Sequence, residues 1–486
     1  MKRFTLMLIL AIMTLSSAVF AGNEDYMSTQ SAKFIMNTAS VARTEGADIA
    51  SYNPAGTAFL DPGLYFDLSN QFLLKSYSTK AKENNTTRPI PVLNKEYKER
   101  EPAFILPNFY FVGNFGDLGI GKLATFLQAG IIGGDGNMKW NGTTGSNAFV
   151  YRIMNALTTA PPAALLEGLS GATFSTSFET SSVYYGIGIG AAYSFFEDTV
   201  SASLGIKYVM AKKTGKLNGS MNFTERSTNT PVTFNLADEY DYDANGFTPV
   251  IGIDVKPNND LTIGLRYEME TNLEFKYKAK KRSVSSRDDT KFASVINFIQ
   301  PYIPDYGGMK AKQNLPAILS LGGEYIVMPE LTLGLALTMY FKPKVEYINY
   351  KYDPAAPPAT TSVEKSNGLS NGYEVALSGV YKVVDEFKLG LSFMYTIQGI
   401  KNSYLEDPNN LLATSANPIL NSLNIGFGGT YTFMEDLEVT LAFNWEYFFA
   451  KSIKVAYPGI DPLKMDYKKS IYGIYLGVGY RLRDVF

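Results

Sequence analysis

Two kinds of reactive side chain are missing from this 486-residue sequence, which contains neither histidine nor cysteine. Without histidine there is no imidazole to act as base for a serine nucleophile, to bind zinc or to hold haem. Without cysteine there is no thiol chemistry and no disulfide. Serines and carboxylates are plentiful, but a hydrolase such as a lipase would lack its usual base. A haem carrier would need Tyr or Met ligation. No phosphate-binding loop of the Gly, four residues, Gly-Lys-Ser/Thr type occurs, and no paired-metal pattern. The sequence therefore predicts no enzyme, no metal and no cofactor. The formal charge is -2, and without Lys2 and Arg3 it becomes -4 (42 basic against 46 acidic residues). That balance argues against a nucleic-acid partner.

The remaining candidates are binding groups. Arg266, Lys122 and Arg481 could donate to a ligand carboxylate. Solvating the wall or contacting the amino-terminal segment is the plainer role for each. Phe149, Met154 and Leu157 form an apolar group that could catch a hydrophobic ligand, or could be a small core beneath a loop. Asn53-Pro54-Ala55 is the third group. Pro54 fixes its own φ and disfavours helix at Asn53, whose side chain can then hold a turn.

What positions these groups is a set of alternating strands. Leu331, Leu333, Leu335, Leu337, Met339 and Phe341 alternate with Thr332, Gly334, Ala336, Thr338 and Tyr340. Leu261–Met269, Phe387–Thr396 and Val439–Tyr447 repeat the pattern, with Gly264 and Gly390 among the alternate positions. A period of two with one apolar face is a strand signal. Very short turns lie around 114–117, 197–198, 258–260, 329–330, 385–386 and 435–436. Long polar segments separate these hairpins, at 76–102, 128–181, 214–245, 281–308, 351–368, 403–417 and 457–469. Short turns on one side and long loops on the other are the habit of a transmembrane barrel. No segment offers the run of about 18 apolar residues that a spanning helix needs.

The spans predict fourteen strands, at 64–75, 103–113, 117–127, 182–196, 199–213, 246–257, 260–280, 309–328, 331–350, 370–383, 386–402, 418–433, 436–456 and 470–483. An even number puts both barrel ends on the short-turn side. The first and last strands would pair to leave no open edge. Ahead of them, Lys2-Arg3, the apolar Phe4–Leu15 and Val19-Phe20-Ala21 read as a secretory signal peptide over 1–21. Residues 22–63 are rich in small residues and form the next unit, suited to packing inside walls. Residues 64–486 form the barrel. Within the loop 128–181, Asn147–Thr159 and the stretch after Pro161-Pro162 read as short helices.

Placed just before the first strand, Asn53-Pro54-Ala55 gives the whole chain a resemblance to the FadL/TodX family of outer-membrane transporters, nearest its Bacteroidota-type branch. The resemblance implies an all-β, 14-stranded antiparallel transmembrane β-barrel whose lumen holds an N-terminal hatch, or plug, with Asn53, Pro54 and Ala55 as the hatch motif. It implies passive uptake of hydrophobic molecules such as long-chain fatty acids, with detergent or lipid as related ligands. It also implies a lateral opening at an inward kink of the third strand, expected near Gly119 and Gly121. A monomer in the lipopolysaccharide-bearing outer membrane of a Gram-negative bacterium, inserted by the barrel-assembly machinery, follows from the same likeness, and the terminal Phe486 resembles the usual assembly signal. Two other readings stay open: a shuttle or scaffold of a secretion apparatus, and a non-specific porin.

Overall fold

The computed structural model describes residues 31–82, 96–140, 168–300, 305–351, 360–407, 411–457, 460–483 and 485. Their alternating sequences build fourteen wall strands. These are β1 (Gly63–Lys82), β2 (Glu96–Glu99, then Ala103–Asp117), β3 (Lys122–Trp140), β4 (Leu169–Phe195), β5 (Val200–Glu225), β6 (Thr230–Asn258) and β7 (Leu261–Glu268, then Glu274–Ser286). They continue as β8 (Lys310–Lys312, then Ile318–Met328), β9 (Leu331–Tyr340), β10 (Gly372–Val384), β11 (Phe387–Ile397), β12 (Ser422–Phe433), β13 (Leu437–Phe448, then Lys451–Tyr457) and β14 (Ile460–Leu482).

Each strand pairs antiparallel with its neighbours in chain order, and β14 pairs with β1 from Leu64↔Leu482 to Lys82↔Lys464. The sheet is therefore a closed barrel of fourteen strands, as the alternation predicted. Closure leaves the sheet without a first or last open strand at the level of the belt. A separate hairpin, Glu346–Lys351 with Thr360–Lys365, lies outside the wall. Among the described residues no helix is long and apolar enough to cross a membrane.

The two faces of the wall differ as the period of two requires. Leu204, Ile206, Phe247, Ile251, Leu333, Leu335, Leu377, Phe427, Leu441 and Leu476 point outward and are exposed, Leu204 to 67% and Phe247 to 61%. An unbroken outward apolar belt of this kind is costly in water and stable against hydrocarbon. The alternate positions point inward and are buried.

Several strands run far beyond the predicted spans. The stretches 128–140, 169–181 and 214–245 were expected as loops, yet they are regular ladder in β3, β4, β5 and β6. β4, β5 and β6 reach 27, 26 and 29 residues, against 10 in β9. The physical reason is that these extensions leave the belt. Their outward faces carry Lys, Asp, Thr and Asn, so the apolar alternation fades while backbone pairing continues. At the far end Leu169, Met221, Phe223, Val232 and Phe234 make a small core with Phe292 and Val295, at the start of the helix Ala293–Ile299. The expected helices at 147–159 and after Pro161 lie outside the described residues.

Candidate functional site

Residues 31–60 fold into four short pieces: α1 (Ala32–Met36), a 3-10 turn (Ser40–Ala42), α2 (Ile49–Tyr52) and a 3-10 helix (Pro54–Phe59). None is long enough to be stable alone. Side-chain caps start two of them. Ser31 Oγ accepts the Phe34 N–H, and Asn53 Oδ1 accepts the Ala55 N–H with Pro54 at the first position, as helix starts favour.

What holds the segment is the wall. The Ala32 N–H donates to Ser69 Oγ on β1 at 2.9 Å, and Ser392 Oγ on β11 donates to the Ile35 carbonyl at 2.7 Å. Asn37 donates to Glu324 on β8 and accepts from Ser378 on β10. Ser51 donates to Gln128 on β3. Asn114 on β2 donates to the carbonyls of Thr57, Ala58 and Leu60. Ser201 on β5 donates to the Ala55 carbonyl at 2.9 Å. Lys33 lies 3.1 Å from Asp67 on β1 and 2.7 Å from Glu438 on β13. Burial works against its charge, but these two carboxylates hold the ammonium above the usual lysine range. The partners thus come from strands on every side of the barrel.

Asn53 is fully buried. Its Nδ2 donates to Asp254 Oδ1 on β6 at 2.7 Å and to the Ile253 carbonyl at 3.3 Å, while its Oδ1 caps the following turn. One side chain therefore both starts the helix and ties it to the wall.

Inward glycines make the close approach possible. A Cβ on Gly252 would lie 2.1 Å from Asn53 Oδ1, and one on Gly264 2.3 Å from the Val41 carbonyl. On Gly390 it would lie 2.6 Å from Met36 Cβ, and on Gly426 2.2 Å from the Ile35 carbonyl. Gly322 and Gly334 seat Val41 and Ala39 in the same way. Glycine admits backbone contact at these distances where any side chain would clash.

Against α1 lies a continuous apolar cluster inside the wall. Ala32, Ile35 and Met36 belong to it, with Tyr77, Leu106, Trp140, Phe178, Val209, Phe448 and Met465. One side is aromatic: Tyr242 stands 4.5 Å from Tyr277, 5.0 Å from Tyr240 and 6.5 Å from Phe275, centroid to centroid. Lys213 lies over Tyr184 and Phe275, and Lys469 over Tyr77 and Phe448. Offset ring and cation–π contacts of this kind are favourable. Part of the 398–421 connection, of which 403–417 is expected as polar loop and the rest as strand, turns in and adds Tyr404, Leu405, Ala416, Ile419 and Leu420. The apolar pair Ile419-Leu420 is the available signal for it.

The predicted carboxylate donors do not meet. Arg266 is buried on β7 and bonds Glu268, which also takes Lys207. Lys122 pairs with Asp198 at 2.7 Å beside a short turn. Arg481 pairs with Asp61 at 3.1 Å at the barrel seam. Each already has an acidic partner of its own. Phe149, Met154 and Leu157 lie outside the described residues.

Gly119 and Gly121 are not within the third strand. They shape the turn before it, with φ of +98° and +148° that a regular strand cannot contain. The irregular part of β3 lies higher, where its register on β4 shifts between Ile131 and Gly133 and again between Gly133 and Gly136. Gly134 and Gly136 have φ of +117° and +61° there. Pairing of β2 with β3 runs from Asp117↔Lys122 only to Asn108↔Gly130, so the bulges begin where that ladder stops.

With this geometry in hand, the fold can be compared. It matches a FadL homologue of Pseudomonas aeruginosa over 95% of this chain and 99% of that one, with a TM-score of 0.60 and 16% identity. The chain has the FadL/TodX barrel fold. The toluene transporter TodX of P. putida matches at a TM-score of 0.55 and 12% identity, covering 90% of this chain and 94% of its own. A TodX monoaromatic hydrocarbon channel carrying the deltaS2 mutation matches at 0.58 and 12%, over 94% and 100%. No family model matches the sequence, and no curated protein sequence matches it significantly. The fold is thus shared at 12–16% sequence identity.

Proposed function

We propose that this chain is a passive channel for hydrophobic molecules in the outer membrane of a Gram-negative bacterium, a FadL/TodX relative in function as well as fold. The observation that carries the reading is the apolar cluster inside the wall, where a porin would have water. Each buried methylene contributes about 0.8 kcal/mol, so a long acyl chain or an aromatic hydrocarbon gains affinity there with few polar contacts. In this reading residues 31–60 are the plug. The bulged stretch Ile131–Gly136 of β3, beside the end of the β2–β3 ladder, is the side exit. No step needs chemistry, and the gradient supplies the direction.

Long-chain fatty acids are the substrate class we favour over neutral hydrocarbons. Lys213 and Lys469, set among aromatic rings inside the barrel, are suited to a carboxylate whose tail lies on those rings. The test is reconstitution in liposomes with labelled oleate, toluene and a small sugar as separate solutes. Oleate and toluene should cross and the sugar should not. Fast sugar flux with no oleate uptake would reject the reading in favour of a porin.

A further inference from the structure

We propose that the outer face of β6–β8, just beyond the apolar belt, is a docking site for the phosphorylated headgroup of an outer-leaflet lipid. The inference rests on the outer-membrane reading above. Along β6 the outward side chains pass from Ile251 and Phe247 to Asn245 and Asp243, so the belt ends within a few residues. On β7 the same change runs from Met269 to Asn272, Glu274 and Lys276. At this level β7 and β8 both break, and a depression of about 360 Å³ opens. Asn245, Asn272, Lys276, Lys310 and Lys312 line it, with the carboxylates Asp243 and Glu274.

The register makes this place electrostatically unfinished. Lys276 faces Lys310 directly across the strands, and Lys212 faces Asp243 in the same row. Like charges directly opposite on a sheet are destabilising. The two carboxylates are already engaged: Asp243 lies 2.5 Å from Lys278, and Glu274 lies 2.7 Å from Lys310. Lys276 and Lys312 make no ion pair among the described residues. The lining carries Lys276, Lys310 and Lys312 against Asp243 and Glu274, a net charge of +1, and Glu346 beside it accepts the Lys312 N–H at 3.1 Å.

An anion with several oxygens between Lys276 and Lys312 would relieve the repulsion through charge-assisted bonds. The asparagine amides supply neutral donors beside them. A lipid rather than free phosphate is indicated by what lies beneath. Phe247 and Met269 are exposed at the belt edge below the depression, where acyl chains attached to the headgroup would rest.

Native mass spectrometry of the full chain in a neutral detergent tests this, with diphosphorylated lipid A as probe. The dephosphorylated lipid and inorganic phosphate are the comparison ligands. The unmodified protein should retain one phosphorylated lipid, and Lys276→Ala with Lys312→Ala should lower its occupancy at least tenfold. Lys382→Ala, at a short turn on the opposite side of the belt, should leave it unchanged. The dephosphorylated lipid should bind at least tenfold less. Equal retention by the double variant, or of the dephosphorylated lipid, overturns the site. Displacement of the lipid by millimolar inorganic phosphate overturns the choice of a lipid. Heat-modifiable migration confirms that the double variant is a closed barrel. Oleate uptake by the same preparation separates the two readings: lost retention with intact uptake rejects the headgroup site alone, and retained lipid with no uptake rejects the channel alone.

Discussion

Replacing Asn53 with alanine removes a cap and a wall contact in one change. The cap, Asn53 Oδ1 with the Ala55 N–H, contributes about 1 kcal/mol. The bond from Nδ2 to Asp254 at 2.7 Å is buried, and leaving a buried acceptor without its donor costs about 1–3 kcal/mol. Asp254 Oδ2 already lacks a partner, so the substitution leaves that carboxyl with no bond to the segment. The sum is about 2–4 kcal/mol lost from docking of residues 31–60. At about 1.4 kcal/mol per tenfold, local opening becomes more frequent by roughly one and a half to three orders of magnitude. Hydrogen–deuterium exchange of the amides in 31–60 reads this directly, with the β9–β12 amides as an internal reference. A double-mutant cycle with Asp254→Ala then isolates the pair: in that background Asn53→Ala should cost only the cap and the longer bond to the Ile253 carbonyl, about 1–1.5 kcal/mol. Unchanged exchange in the single variant, or equal effects in both backgrounds, would refute the account of Asn53 as cap and tie together.

Gly426→Val places a side chain against the Ile35 carbonyl and should loosen α1, seen as faster exchange at 31–37 with the wall amides unchanged. Gly134→Ala puts a Cβ against the Ser182 carbonyl at a positive φ, and should lower the unfolding midpoint by the equivalent of about 1–2 kcal/mol in a heat-modifiable gel assay. Lys213→Met with Lys469→Met should reduce oleate uptake several-fold while toluene uptake stays within twofold. Arg266→Met should leave oleate uptake within twofold, because Arg266 is occupied by Glu268, while lowering barrel stability.

Where the sequence was legible, a belt made it so. The fourteen strands could be read because each carries apolar residues at every second position through the same outward layer. Beyond that layer Lys212, Thr214 and Lys216 on β5 face outward, and nothing apolar marks that outward face, so 214–245 reads as loop although it is a hairpin. The glycines at 264, 334 and 390 were visible as alternate positions, but their reason was not. They answer to Val41, Ala39 and Met36, some two hundred residues or more away in the chain, and no local pattern encodes such a contact. Arg266 illustrates the same limit. Parity correctly placed it inside, but parity says nothing about Lys207 and Glu268, which occupy the same patch. Gly119 and Gly121 stand out in the sequence as a close pair of glycines, yet a turn and a bulge both call for glycine, and only the register separates them.

The segment 31–60 has a further consequence for how the barrel comes to exist. Lys33 is paired with Asp67 on the first strand and Glu438 on the thirteenth, and the Ala32 N–H bonds to Ser69, all beside the β1–β14 seam. These two strands are the farthest apart in the chain, and bringing them together carries the largest loop-closure entropy of any pairing in the sheet. A segment that binds both sides of that seam is placed to serve as a clasp during assembly, before the last ladder forms. The amino-terminal segment would then be a folding template first, and chains lacking it should close more slowly, whatever they later transport.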